Sequence, residues 1–370
     1  MNFSNRYIYI LFAVLVYACT KTPMPPDPPS DSLTDIPYNP VAYTITPPPG
    51  FPAMSIPADN PLTVDGIALG RHLFYDPILS ADSTKGCFSC HALSGSMTDN
   101  LAVSAGIDNI NGRRSSMSLL NVGYYYNGLF WDGRSENLEA QALKPVEDPI
   151  ELHENWDNVE VKLRRHVSYP TMFRKAFGIS AKSEITRDLA AKALAQFERT
   201  MISSGKSKYD LALTTGTGVE FSDEESYGFS LYNQLETRDG QCGHCHQGFL
   251  LTDNVYRNNA LDEVADLNGF VDKGRGEVTN ILYDNGKFRA PTLRNIALTA
   301  PYMHDGRFLT LEQVLDHYAT GGHYSDNVDP IMIQLKNNPL TGPEKQAILA
   351  LLHTMTDTVF VNNPALTSPF

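Results

Sequence analysis

Apolar positions along this chain recur mainly at helical spacing. In TVDGIALGRHLFYDP, Ile67, Leu69, Leu73 and Phe74 form one apolar face, Asp65 lies near its start and Pro77 just beyond its end. In SEITRDLAAKALAQFERTM, Leu189, Ala193, Phe197 and Met201 fall on one stripe and predict a second amphipathic helix. SSGKSKYDLALTTGTGVE breaks the pattern with a junction rich in Gly, Ser and Thr. SDEESYGFSLYNQ restarts it, with Ser222 and Glu225 as a capping box. In TLEQVLDHYATGG, Thr310 and Gln313 form another capping box and Gly321 supplies a stop. Leu311, Val314, Leu315 and Tyr318 then share one buried face. TGPEKQAILALLHTM predicts a last helix with Pro343 in its first turn. Residues 252–294 show no sustained period, which suits chain wrapped around a bound group.

The first residues follow a different logic. Arg6 precedes YIYILFAVLVYA, an apolar run of 12 residues. That run is too short to span a bilayer and has the length of a signal-peptide core. Leu15-Val16-Tyr17-Ala18-Cys19 resembles a bacterial lipobox, which implies lipidation of Cys19. The Pro-rich stretch after it reads as a semi-extended tether. The predicted organisation is a signal at 1–19, a tether at 20–52, and helical domains at 53–210 and 211–370.

A chain of 370 residues has room for about two domains. Its net charge of −13 argues against nucleic acid as a partner, because phosphate binding needs clustered Lys and Arg. It suits a small basic protein steered by opposite charge. Five cysteines are present, and four of them form two pairs, Cys87/Cys90 and Cys242/Cys245. Each pair is followed at once by a histidine, His91 or His246. Zinc would need two further ligands at each pair. A redox dithiol needs no adjacent histidine, and no βαβ pattern surrounds either pair. C-x-x-C-H is the attachment signature of haem c: two thioethers, with the histidine as proximal iron ligand. Two such motifs predict two covalent haems. The predicted fold class is all-α, with two tandem cytochrome-c-like domains carrying one haem c each.

Longer segments carry a resemblance. LGRHLFYDPILS, GCFSCHAL, LFWDGRSENLEAQALKPVEDPIELH, QCGHCHQGFLLTD and APTLRNIALTAPYMHDGRFLTLEQVLDHYATGG resemble the bacterial di-haem cytochrome c peroxidase and MauG superfamily. The resemblance runs from about residue 60 to 357. It implies that the haem at His91 reacts with hydrogen peroxide and that the haem at His246 handles electrons. It implies that Trp131 stands between the haems as a stepping stone, that Glu151 is the distal acid and base, and that Gln141 and Pro145 are pocket residues. A carboxyl in an apolar pocket suits proton transfer at neutral pH, because burial raises its pKa. The same resemblance gives His244 no ligand role and makes it a surface residue. It also implies a calcium site at the carbonyls of Thr299 and Pro301, with Ser115 where the family has Asn.

Two departures favour the MauG-like branch. Classical-type members cap the first haem with a histidine from the loop after the first motif. Ile107 stands there, and no histidine occurs between His91 and His153. Where peroxidases place a methionine ligand for the second haem, Tyr318 stands, with Met303 and His317 as fallback ligands. A phenolate ligand favours ferric over ferrous iron.

The function implied is a di-haem oxidoreductase of the cytochrome c peroxidase type, with equivalents passed through Trp131. Its electron donor would be a small periplasmic cytochrome c or cupredoxin. The alternative is a MauG-like oxidase that modifies a protein or other substrate through a bis-high-valent di-haem state. A simple electron carrier needs no acid–base pocket. The implied location is periplasmic, held to a membrane only by the lipid at Cys19. The chain has two tryptophans, Trp131 and Trp156, so any outward oxidation path in the second half would have to run through tyrosines.

Overall fold

The computed structural model describes residues 31–233 and 242–370, and residues 32–370 form one compact unit. The predicted signal and the lipobox at Cys19 lie outside the described residues. No described helix is long and apolar enough to cross a membrane.

Among the described residues, twelve α-helices carry the fold. The first half holds α1 (Val64–Tyr75), α2 (Leu138–Glu147), α3 (Trp156–Arg165), α4 (Tyr169–Phe177) and α5 (Arg187–Glu198). After α6 (Lys208–Leu213) come α7 (Asp223–Tyr232), α8 (Gly276–Thr279), α9 (Leu311–Thr320), α10 (Pro330–Asn337), α11 (Gly342–Thr354) and α12 (Thr358–Val361). A two-residue antiparallel pair, β1 (Tyr256–Arg257) with β2 (Phe288–Arg289), breaks the irregular stretch after the second haem motif.

The capping boxes at Ser222/Glu225 and Thr310/Gln313 are both formed. One turn each of 3₁₀ helix holds the cysteine pairs, at Cys87–Ser89 and Cys242–His244.

The two halves use the same device to bring a helix up to its motif. α1 packs on α5, and α7 packs on α11. At Gly70 an added Cβ would lie 1.9 Å from the Ala193 carbonyl oxygen, and at Gly228 2.1 Å from that of Ala347. Backbone-to-backbone approach this close excludes any side chain. Apolar residues collect in two main clusters, one around Leu69, Phe74, Leu194 and Phe197, the other around Tyr232, Leu315, Ile348 and Leu351.

Three local findings differ from the sequence expectation. The junction contains α6, whose Tyr209 is buried in the second cluster and whose Asp210 pairs with Arg294 at 2.9 Å. The boundary expected at 210/211 therefore falls inside a helix. The later part of the tether is pinned to the body: Leu33 is buried in the first cluster, and Phe51 packs edge-on to Tyr124 and Phe249. Two anchors so far apart leave no period in the sequence. Beyond α11 the chain returns to the first half, where Phe360 and Leu366 join the first cluster and Arg71 donates to the carbonyls of Pro364 (2.8 Å) and Thr367 (2.7 Å).

Candidate functional site: two cavities and the wall between them

A cavity in the first half is lined by Cys87, Cys90 and His91. His91 Nδ1 lies 2.9 Å from the carbonyl oxygen of Met97 and donates to it. That bond fixes the tautomer and leaves the Nε2 lone pair for a metal. Met97 adopts φ 65°, which turns its carbonyl onto the ring.

Helix α2 builds another wall. Leu138, Gln141, Ala142, Pro145 and Val146 line the cavity at helical spacing. A turn after α2, closed by Glu151 N–H to the Asp148 carbonyl at 3.0 Å, returns Glu151 to the same space. Burial, aided by the charge of Asp148 and opposed by Arg134, raises the Glu151 carboxyl to about 7. Ile107 is tied by its N–H to the Glu151 carbonyl at 3.0 Å, while Ala105 and Gly106 beside it face the cavity. His153 pairs with Asp108 at 2.6 Å and is exposed. His91 is the one histidine lining this cavity among the described residues. Glu198, which sequence reasoning missed, also lines it: the residue is 5% exposed, its Oε2 has no partner, and burial raises it to about 8.

The second cavity repeats the arrangement. Cys242, Cys245 and His246 line it, and His246 Nδ1 donates to the Pro291 carbonyl at 2.9 Å. Burial lowers the His246 imidazole to about 4, so it stays neutral and able to ligate. Leu311, Val314, Leu315 and Tyr318 of α9 form the facing wall. The Asn259 side-chain amide reaches both Tyr318 OH (3.5 Å) and Met303 Sδ (3.4 Å). His317 Nε2 instead meets the Asn259 carbonyl at 2.8 Å, which takes that histidine out of the cavity. His244 lies outside it too, exposed and lining a separate pocket. None of the four described cysteines is paired in a disulfide, and burial raises the Cys242 thiol to about 11 and the Cys245 thiol to about 12.

Trp131 lines both cavities, with its indole N–H donating to the Ser115 carbonyl at 2.9 Å. Ser115 in turn reaches across the wall: its N–H donates to the His304 carbonyl (2.7 Å) and its hydroxyl to the Met303 carbonyl (3.0 Å). Near Thr299 and Pro301, the Asn100 amide donates to the carbonyls of Leu298 and Ala300.

A family model described as "Di-haem cytochrome c peroxidase" matches residues 64–217. The methylamine utilization protein MauG of Methylorubrum extorquens is 32% identical over 304 residues, covering 81% of this chain and 80% of that protein. The chain belongs to the di-haem cytochrome c peroxidase and MauG family. The cytochrome c551 peroxidase of Nitrosomonas europaea is 33% identical over 305 residues, covering 82% and 84%. A crystal structure of a MauG-like protein associated with microbial copper homeostasis superposes with a TM-score of 0.80 at 31% identity, covering 89% of this chain and 99% of that one.

The residues present fit the haem c groups that this family implies. Each cavity holds two thiols one helical turn apart beside an imidazole whose Nδ1 is bonded to a backbone carbonyl, and most of the remaining lining is apolar. Among the described residues no cluster of three His, Cys, Asp or Glu side chains is placed to hold a metal by itself.

Proposed function

We propose that this family member reacts with hydrogen peroxide in the first cavity and exchanges oxidising equivalents with the second. The observation that carries the reading is Glu151: a buried carboxyl, raised to about 7, in the cavity shared with His91. Haem iron would supply the redox chemistry in each cavity, held by Cys87, Cys90 and His91 or by Cys242, Cys245 and His246. Glu151 takes a proton from the near peroxide oxygen and returns it to the leaving one. Gln141, on the same wall, orients the bound oxygens by hydrogen bonding. Each peroxide needs two electrons and two protons to become two waters. A small periplasmic cytochrome c or cupredoxin would supply the electrons, steered by the acidic surface. Trp131 links the two cavities. In this reading the chain is exported and lipid-anchored through Cys19. Calcium at Thr299 and Pro301 is an accessory proposal only.

A second reading, a MauG-like oxidase, is favoured by Tyr318. Tyr318 lines the second cavity, and its hydroxyl lies 3.5 Å from the Asn259 amide. The test is anaerobic addition of peroxide to the diferric protein, followed by optical and EPR spectra with and without a reduced donor. Turnover with the donor supports the peroxidase. A long-lived oxidised state at both haems that the donor quenches poorly supports the MauG-like reading. A protein inert to peroxide in both oxidation states refutes both.

A further inference from the structure

Among the described residues, five arginines line the two cavities. Arg113, Arg114 and Arg134 face the first, Arg257 the second, and Arg289 both. The first four each hold a carboxylate. Arg113 meets Glu277 at 2.9 Å, and Arg114 meets Asp132 at 2.5 Å and Asp272 at 2.7 Å. Arg134 meets Asp132 at 3.2 Å, and Arg257 meets Asp253 at 2.6 Å and Asp329 at 3.1 Å.

Arg289 holds none among the described residues, although it is only 2% exposed. Its Nε donates to the Phe130 carbonyl at 3.3 Å and its Nη1 to Asn254 Oδ1 at 3.0 Å. Its Nη2 serves three oxygens: Tyr256 OH at 2.8 Å and the carbonyls of Asn127 and Gly128. The Tyr125 and Tyr256 rings flank the guanidinium at 5.3 and 5.2 Å. All these partners are neutral. Three acceptors share the two hydrogens of Nη2, and Nη1 has two hydrogens but one partner, so one Nη1 N–H is left over. A cation buried this completely without an anion is strongly unfavourable, and such groups ordinarily have a counter-charge.

The position narrows the choice of anion. The Arg289 backbone N–H donates to the Trp131 carbonyl at 2.8 Å, which fixes the residue in the wall between the cavities. A haem c brings two propionate carboxylates into its cavity, and a guanidinium is the side chain best shaped to hold carboxylates.

We infer that Arg289 is the shared counter-charge of the two prosthetic groups, its one uncommitted N–H and its buried positive charge balancing propionate carboxylates brought into the two cavities, and so sets the two haem potentials together. This rests on the reading that each cavity holds one haem c. A positive charge near both irons disfavours the ferric state, which carries one more positive charge than the ferrous. Removing it lowers both potentials.

The test is a spectroelectrochemical titration of the holoprotein, comparing wild type with R289Q and R289K after the haems in each have been counted by mass. R289Q should lower both midpoint potentials, and R289K, which keeps the charge, should return both toward wild type. A shift at one haem only, no shift, or an equal fall in R289K overturns the inference while leaving the di-haem reading intact. If R289Q loses haem, retention by R289K supports the role of the charge, and equal loss from both variants overturns it. Wild-type protein with fewer than two haems defeats the di-haem reading and this inference with it.

Discussion

The indole N–H of Trp131 donates to the Ser115 carbonyl at 2.9 Å, and this bond sets the plane of the ring that both cavities share. In the proposed function, an oxidisable ring held in one orientation would divide one long electron-transfer step into two short ones. Trp131→Phe keeps an aromatic filler but loses the hydrogen bond, worth about 1 kcal/mol net, and the easily oxidised indole. Stopped-flow spectra should show peroxide reacting at the first haem at its normal rate while exchange with the second slows. Unchanged exchange would remove Trp131 from the path.

Glu151 should govern the pH dependence of the first step. Its raised carboxyl is protonated below about 7 and becomes a base above it. The second-order rate with peroxide should therefore rise with pH through neutrality. Glu151→Gln should lower it by about 10²–10⁴-fold, the usual worth of a general acid–base, and flatten the profile. A variant with a normal rate would place the proton acceptor elsewhere.

Tyr318→Phe addresses the second cavity. The ring still fills its place on α9, so the fold is retained. Loss of a phenolate ligand should raise the potential of one haem and alter the axial-ligand signature of that haem alone. If both haem spectra stay as they were, Met303 becomes the ligand to test, because the same Asn259 amide reaches its sulfur.

The buried Glu198 makes a stability prediction. Its carboxyl is raised to about 8, so between its ordinary value near 4.5 and about 8 the folded chain holds a proton that the unfolded chain has released. Folding stability therefore falls as pH rises through that window, by up to about 1.4 kcal/mol per pH unit. Glu198→Gln, neutral throughout, should remove that slope. Denaturant unfolding at about pH 5 and about pH 8 reads the difference, and equal slopes in both proteins would contradict it.

What the sequence discloses is what short-range chemistry encodes. The capping boxes at Ser222/Glu225 and Thr310/Gln313 need only neighbouring residues, so both were readable in advance. The Cys-Cys-His motifs were readable for the same reason. Helix α2 was not, because Pro145 lies inside it and ordinarily argues for a break. Glu151 sits in an acidic run with Glu147, Asp148 and Glu154, and only the family resemblance lifted it out. Arg289 and Glu198 left no local sign at all. Their burial depends on segments far away in sequence, Asn127 to Phe130 and Asn254 for Arg289, and the packing of α1 and α2 on α5 for Glu198.

The return of residues 358–367 to the first half has a consequence for biogenesis. Phe360 and Leu366 complete the apolar cluster that begins with Leu69 and Phe74, and Arg71 on α1 is held by the carbonyls of Pro364 and Thr367. The part of the molecule made first is thus sealed by a part made after the second haem motif. A nascent chain that stops at residue 210 exposes the apolar patch these residues cover. The first CxxCH motif would then lie on a bundle that its closing segment has not yet sealed.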